Sequence, residues 1–109
     1  GYDESLYWTP GGKIENGESH EIALNRELNE ELGIKPIMIK FYIEYKTLNE
    51  ITNKKQKVYC YILNFKGKPK AKKELTKFIW CSKEDLTKYN LSKGISDNLI
   101  PKLIEDSLI

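Results

Sequence analysis

The chain's 109 residues suffice for one small domain, expected to span 1–109, with a single core. Eighteen basic side chains against sixteen acidic ones leave a net charge of +2, which argues against a nucleic-acid coat or a membrane-surface binder, although local patches can still matter. No apolar run reaches membrane-span length and no signal peptide opens the chain, so a cytoplasmic address is expected, with Cys60 and Cys81 as buried thiols in a reducing compartment.

Leu6 to Thr9 reads as a short strand or an extended lead-in. The loop that follows carries Gly11, Gly12 and Gly17, which allow close backbone approach, and Lys13, a point charge suited to phosphate. Ser19 is placed to cap a helix running to about Leu32, with Gly33 as its left-handed stop and Ile34 folding back on Leu28. Leu24, Leu28 and Leu32 form one apolar stripe. Glu27, Glu30 and Glu31 lie together beside it, and Arg26, four residues before Glu30, is placed to orient that carboxylate by a two-pronged bond. Three crowded carboxylates repel one another unless hard divalent cations sit on the patch, so the helix reads as a metal shelf; the competing reading is a solvated acidic surface helix. His20, in the first turn, is expected to be an exposed residue at the helix start.

Farther along, Ile37 to Tyr45 alternates, with Ile37, Ile39, Phe41, Ile43 and Tyr45 on one strand face. Lys46 to Ile51 extends that strand or begins another, and Asn53 with Lys54 marks a turn. Val58 to Phe65, apolar on both faces, reads as a central strand antiparallel to its predecessor. The lysines of 66–73 form either a basic rim for polyphosphate or an ordinary solvated loop. A strand is expected over Phe78 to Cys81, a short helix from Ser82 with Asp85 completing a capping box, and a last helix from Ser96 or Asp97. Its apolar side would be Leu99, Ile100, Leu103, Ile104 and Leu108, with Pro101 early enough to be tolerated. Trp8, Tyr42, Tyr59 and Trp80 serve either as core or as stacking surfaces for a base. Neither a covalent triad nor a Gly-x4-Gly-Lys-Ser/Thr phosphate loop is present.

Gly12, Glu18, Arg26, Glu27, Leu28, Glu30, Glu31, Gly33 and Ile34 together match the signature box of the Nudix hydrolases without a gap, and Trp8, Pro10, Gly11, Lys13, Ile14 and Glu15 resemble its MutT-like branch. A chance match of this pattern is on the order of 10⁻⁹ per starting point. The resemblance implies an α+β fold, an α/β/α sandwich around a mixed, mainly antiparallel sheet. The short lead before Trp8 would then lack one or more N-terminal strands, through truncation or as a genuine start. A genuine start would expose a sheet edge to a second chain and favour a homodimer.

The implied activity is Mg²⁺-dependent pyrophosphohydrolysis, with Mn²⁺ as a substitute, of a nucleoside triphosphate, oxidised or non-standard, to monophosphate and pyrophosphate. No nucleic-acid polymer or membrane partner is implied. Glu27, Glu30 and Glu31, with the Gly11 carbonyl, would hold the metal. Lys13 and Gly12 would meet phosphate, Arg26 would orient carboxylates, and Glu18 would brace the loop or ligate through water. Glu74 is the candidate for an extra ligand or water-activating base, against a plain surface glutamate. Asp97 and Asn98, beside Ser96, are candidates for base recognition, against helix capping. Leu48 to Thr52 holds neither the proline of the ADP-ribose branch nor the tyrosine of the dinucleoside polyphosphate branch, which disfavours both. A nucleotide-sensing module without turnover is the alternative from another class.

Overall fold

The computed structural model describes residues 3–7, 9, 14–71 and 80–109. Trp8, Pro10, Gly11, Gly12, Lys13, Lys72, Lys73, Glu74, Phe78 and Ile79 lie outside the described residues. The chain forms two compact units, one from Pro10–Phe41 and Tyr61–Ile79, the other from Gly1–Thr9, Tyr42–Cys60 and Trp80–Ile109.

The first unit is built on helix α1, His20–Leu32. Ser19 has extended backbone, and its hydroxyl accepts the Ile22 N–H at 3.2 Å, satisfying one of the amides that a helix start leaves unpaired. At the other end Gly33 adopts φ 65° and ψ 26°. Its N–H reaches the Asn29 carbonyl and the Ile34 N–H reaches Leu28, the capping pattern that a left-handed glycine permits. A further helix-end carbonyl, that of Leu32, accepts the Lys70 N–H at 2.9 Å. Leu28, Leu32 and Ile34 make a buried cluster, with Leu24, Leu63 and Phe65 packed against it. The leucine stripe thus faces the core, as its spacing requires.

Strands β2 (Lys35–Leu48) and β3 (Lys55–Lys66) form a two-stranded sheet. The link between them, residues 49–54, is too short for a crossover, so the return is antiparallel. Lys46–Leu48 extends β2 and does not begin another strand. The turn closes on Asn49, whose N–H meets the Lys54 carbonyl at 2.9 Å and whose own carbonyl accepts from Asn53 at 2.8 Å. Asn53 sits at φ 57°, a left-handed position that asparagine tolerates.

The expected strand faces hold only in part. Ile39, Ile43 and Tyr45 are half-buried, but Ile37 is 62% and Phe41 50% exposed. Nor is β3 covered on both sides throughout. Val58 to Tyr61 are half-buried, after which exposed and half-buried residues alternate. Periodicity reports which residues share a face, not how much of that face a neighbour covers.

In the second unit, β1 (Asp3–Tyr7) starts ahead of the expected strand and pairs parallel with β4 (Tyr89–Leu91), which has no clear signal in the sequence. Tyr7 and Tyr89 meet edge to face with ring centroids 5.4 Å apart. Among the described residues the strands form two separate two-stranded sheets, one parallel and one an antiparallel hairpin, so the strands are a mixed set and the chain is α+β. Trp80 and Cys81 fall in no strand. Ser82 opens a single 3₁₀ turn, Lys83–Asp85, and the Asp85 carboxylate accepts from both the Ser82 N–H (3.1 Å) and its hydroxyl (2.9 Å).

Helical backbone then begins at Lys93, earlier than expected, and passes through a π-helical stretch, Ile95–Leu99, into helix α2, Ile100–Glu105. Pro101 explains the irregularity. Lacking an N–H, it cannot complete an α-type bond, and the Ile100 N–H reaches Ile95, five residues back. Ile95 and Leu99 are buried, whereas Ile104 and Leu108, expected on the apolar side, are 42% and 54% exposed.

Candidate functional site

The carboxylates of the signature stretch gather on one guanidinium. Arg26, nearly two turns into α1, sends its two-pronged bond to Glu18: Nε donates to Oε2 at 2.8 Å and Nη2 to Oε1 at 3.0 Å. Its third nitrogen, Nη1, donates to Glu27 at 2.7 Å, is 3.4 Å from Glu30, and lies 3.8 Å from Glu15. The fork therefore clasps Glu18 and not Glu30, which corrects the expectation from the spacing of four. Glu18 precedes the helix on a turn and can present both oxygens in the guanidinium plane, a geometry that an adjacent helical turn restricts.

Glu18 also ties the turn to itself. Its Oε1 accepts the Glu15 N–H at 2.9 Å, and the Glu18 N–H returns to the Glu15 carbonyl at 3.0 Å. Arg26 first, and the Glu15 amide second, hold the Glu18 carboxyl below the usual carboxylate range. Arg26 in turn is raised above its ordinary value by Glu18 and then Glu27.

Glu31, like Glu27 and Glu30, is half-buried on α1. Among the described residues no group of three acidic, histidine or cysteine side chains is already drawn together to hold a metal ion. The donor set nevertheless fits a hard divalent cation in kind, because every acidic group on this side of α1 offers carboxylate oxygen. Of the two α1 carboxylates in contact with Arg26, Glu27 is held at 2.7 Å and Glu30 at 3.4 Å.

His20 is not the simply exposed residue expected at a helix start. It is half-buried, with Nδ1 2.8 Å from the Tyr61 hydroxyl on β3 and its ring edge-on to that tyrosine. Nothing in the spacing of residues 41 positions apart marks that pairing.

In the second unit, Asp97 is exposed, and Asn98 is half-buried with its Nδ2 donating to the Gly94 carbonyl at 3.1 Å. That bond runs back along the helix by four residues and is not a cap. The residue that does satisfy the helix start is Glu50, from the β2–β3 turn, whose carboxylate accepts the Lys93 N–H. Sequence reading missed it because a lone glutamate in a turn carries no pattern. Cys60 and Cys81, expected to be buried thiols, are each only half-buried, and burial raises the pKa of both. Tyr45 beside Cys60 is pushed up to about 12, chiefly by burial.

Comparison with known proteins places these residues in a family. The family model described as NUDIX domain matches residues 2–103. The nucleoside triphosphatase NudI of Escherichia coli O139:H28 and that of Shigella flexneri are each 30% identical over 92 residues. Those alignments cover 75% of this chain and 65% of the relative, so the chain spans just under two thirds of the curated relatives it matches. The solution structure of the E. coli ORF135 protein superposes with a TM-score of 0.68 at 30% identity, covering 94% of this chain and 69% of that one.

Proposed function

The chain belongs to the NUDIX family, and from that premise we propose that it is a Mg²⁺-dependent pyrophosphohydrolase of a small nucleotide, with Mn²⁺ able to replace Mg²⁺. The observation that carries the reading is the set of carboxylates, Glu18, Glu27 and Glu30, assembled on Arg26 along one side of α1. An acidic set of this density needs countercharge, and Arg26 supplies one positive charge for several negative ones.

Glu27, Glu30 and Glu31 would hold the ion, helped by the Gly11 carbonyl. When bound, Mg²⁺ supplies charge neutralisation to the phosphate oxygens and lowers the pKa of an attacking water. The chain's own residues do the remaining work. Glu18 fixes Arg26, and Arg26 holds Glu27 through its short Nη1 contact, so the carboxylate is oriented before substrate arrives. Lys13, with Gly12, would meet the polyphosphate as a point charge. Glu74 is the proposed acceptor of the proton from the attacking water. Asp97 and Asn98 would contact the base.

A nucleoside triphosphate, hydrolysed to monophosphate and pyrophosphate, is the proposed substrate; the name of the NudI relatives, nucleoside triphosphatase, supports that class. The deciding assay follows pyrophosphate and phosphate release from a panel of nucleotides, with and without Mg²⁺. Glu31→Gln should remove metal-dependent turnover while the far-UV dichroism stays unchanged. Wild-type rates in that variant would defeat the assignment of α1 as the metal-holding element.

A further inference from the structure

We infer that Glu50 is a positioning residue for nucleotide selection, acting through the start of the C-terminal helical segment. The inference rests on the proposed base contacts at Asp97 and Asn98. Its physical content is how firmly residues 92–98 are held.

Three neighbours grip that stretch. The Ser92 N–H donates to the Tyr7 carbonyl at 2.8 Å, which ties the segment to β1. The Lys93 N–H donates to the Glu50 carboxylate, a charge-assisted bond at a helix start, where aligned peptide dipoles also favour a negative group. Gly94 then lies so close to β2 that an added Cβ would meet Thr47 Cγ2 and Oγ1 at 3.0 Å and Tyr45 Cε2 at 3.1 Å.

Glu50 sits in a hydrogen-bonded turn. The Asn49 side-chain oxygen accepts the N–H groups of Ile51 (2.9 Å) and Thr52 (3.0 Å), and the Asn49 carbonyl accepts from Asn53. The backbone that carries Glu50 is thus closed by hydrogen bonds on both sides, and its exposed side chain reaches from there to the Lys93 N–H. From the clamped segment, Ser96 and Asp97 project as exposed side chains, while Asn98 is bound to Gly94 within it. Loss of the Glu50 contact frees one of the three grips and lets the presented side chains shift.

Contacts to a base are made in the ground state and the transition state alike, so their loss raises KM and leaves kcat in place. The test is steady-state hydrolysis of the common ribo- and deoxyribonucleoside triphosphates with Mg²⁺ by wild type, Glu50→Ala and Glu50→Gln. Glu50→Ala should raise KM roughly five- to tenfold, unequally across the bases, with kcat within about twofold. Glu50→Gln keeps an acceptor oxygen and should recover most of the lost affinity.

Unchanged KM values in a folded Glu50→Ala protein overturn the inference, as does a fall in kcat at constant KM or a Glu50→Gln protein no better than Glu50→Ala. Should Glu50→Ala not fold, Glu50→Asp, which keeps the charge but shortens the reach, decides by the same shift in KM. Wild-type protein inert on the whole panel is a separate result, read before any variant, and removes the functional reading together with this inference.

Discussion

Gly94→Ala sets two effects against each other in one position. The residue has φ −58° and ψ −42°, ordinary right-handed helix, so alanine suffers no backbone strain there. Removing a helical glycine contributes about 1 kcal/mol of stability through lower unfolded-state entropy and better helix propensity. Against this, the new methyl would sit 3.0 Å from two atoms of Thr47 and 3.1 Å from Tyr45. Overpacking of that kind costs about 1–3 kcal/mol. With contacts from two side chains at once the steric cost wins, and a net loss of about 1 kcal/mol is expected, lowering Tm by roughly 4–8 °C. Urea titration followed by tryptophan fluorescence, together with calorimetry, measures it. The double variant tests the cause: in a Thr47→Ala background the two nearest atoms are gone and only the 3.1 Å approach to Tyr45 remains, so Gly94→Ala should cost less there than on the wild-type background. A rise in Tm on the wild-type background would refute the close approach of the helix start to β2.

Leu28 is 2% exposed at the centre of the α1 cluster, so Leu28→Ala should cost about 2–5 kcal/mol in urea unfolding. Gly33, at φ 65°, should tolerate alanine poorly, with a loss of about 1–2 kcal/mol seen as a lower urea midpoint at unchanged m-value. Tyr42 links stability to pH at both ends of the scale. Its hydroxyl donates to Asp106 at 2.6 Å, which holds that carboxyl below its ordinary 3.8, while burial first, and Asp106 second, push the phenol up to about 12 from 10.0. A depressed carboxylate contributes stability above its unfolded pKa and loses it as pH falls through the folded value; a raised phenol contributes below its unfolded pKa and loses it as pH rises through the folded one. The stability gap between wild type and Tyr42→Phe should therefore be widest between about pH 4 and 10 and narrow on either side. A gap that does not vary with pH would mean the hydroxyl and Asp106 are not partners in solution.

Local chemistry was legible without coordinates. Ser19 and Gly33 bound α1 because capping needs only neighbours within a few residues, and Leu24, Leu28 and Leu32 face inward because helical spacing dictates it. Asn53 marks the hairpin turn for the same reason. The partners of Arg26 were harder. Spacing pointed to Glu30, but the fork went to Glu18, outside the helix, where a carboxylate approaches in plane. Exposure of Ile37, Phe41, Ile104 and Leu108 was also hidden, since an apolar residue at a regular position says nothing about whether a partner element arrives to cover it.

What the sequence determined by itself was the family and its acidic helix, because the signature packs cap, stripe, carboxylates and stop into 24 consecutive residues, Gly11 to Ile34. Contacts over that range are set by helical geometry and local hydrogen bonding. Only the tertiary structure decided that β1 pairs with β4, that Tyr61 meets His20, and that Glu50 receives the Lys93 amide. Those pairs lie tens of residues apart, and their partners are chosen by the closure of the whole chain, which no periodicity records.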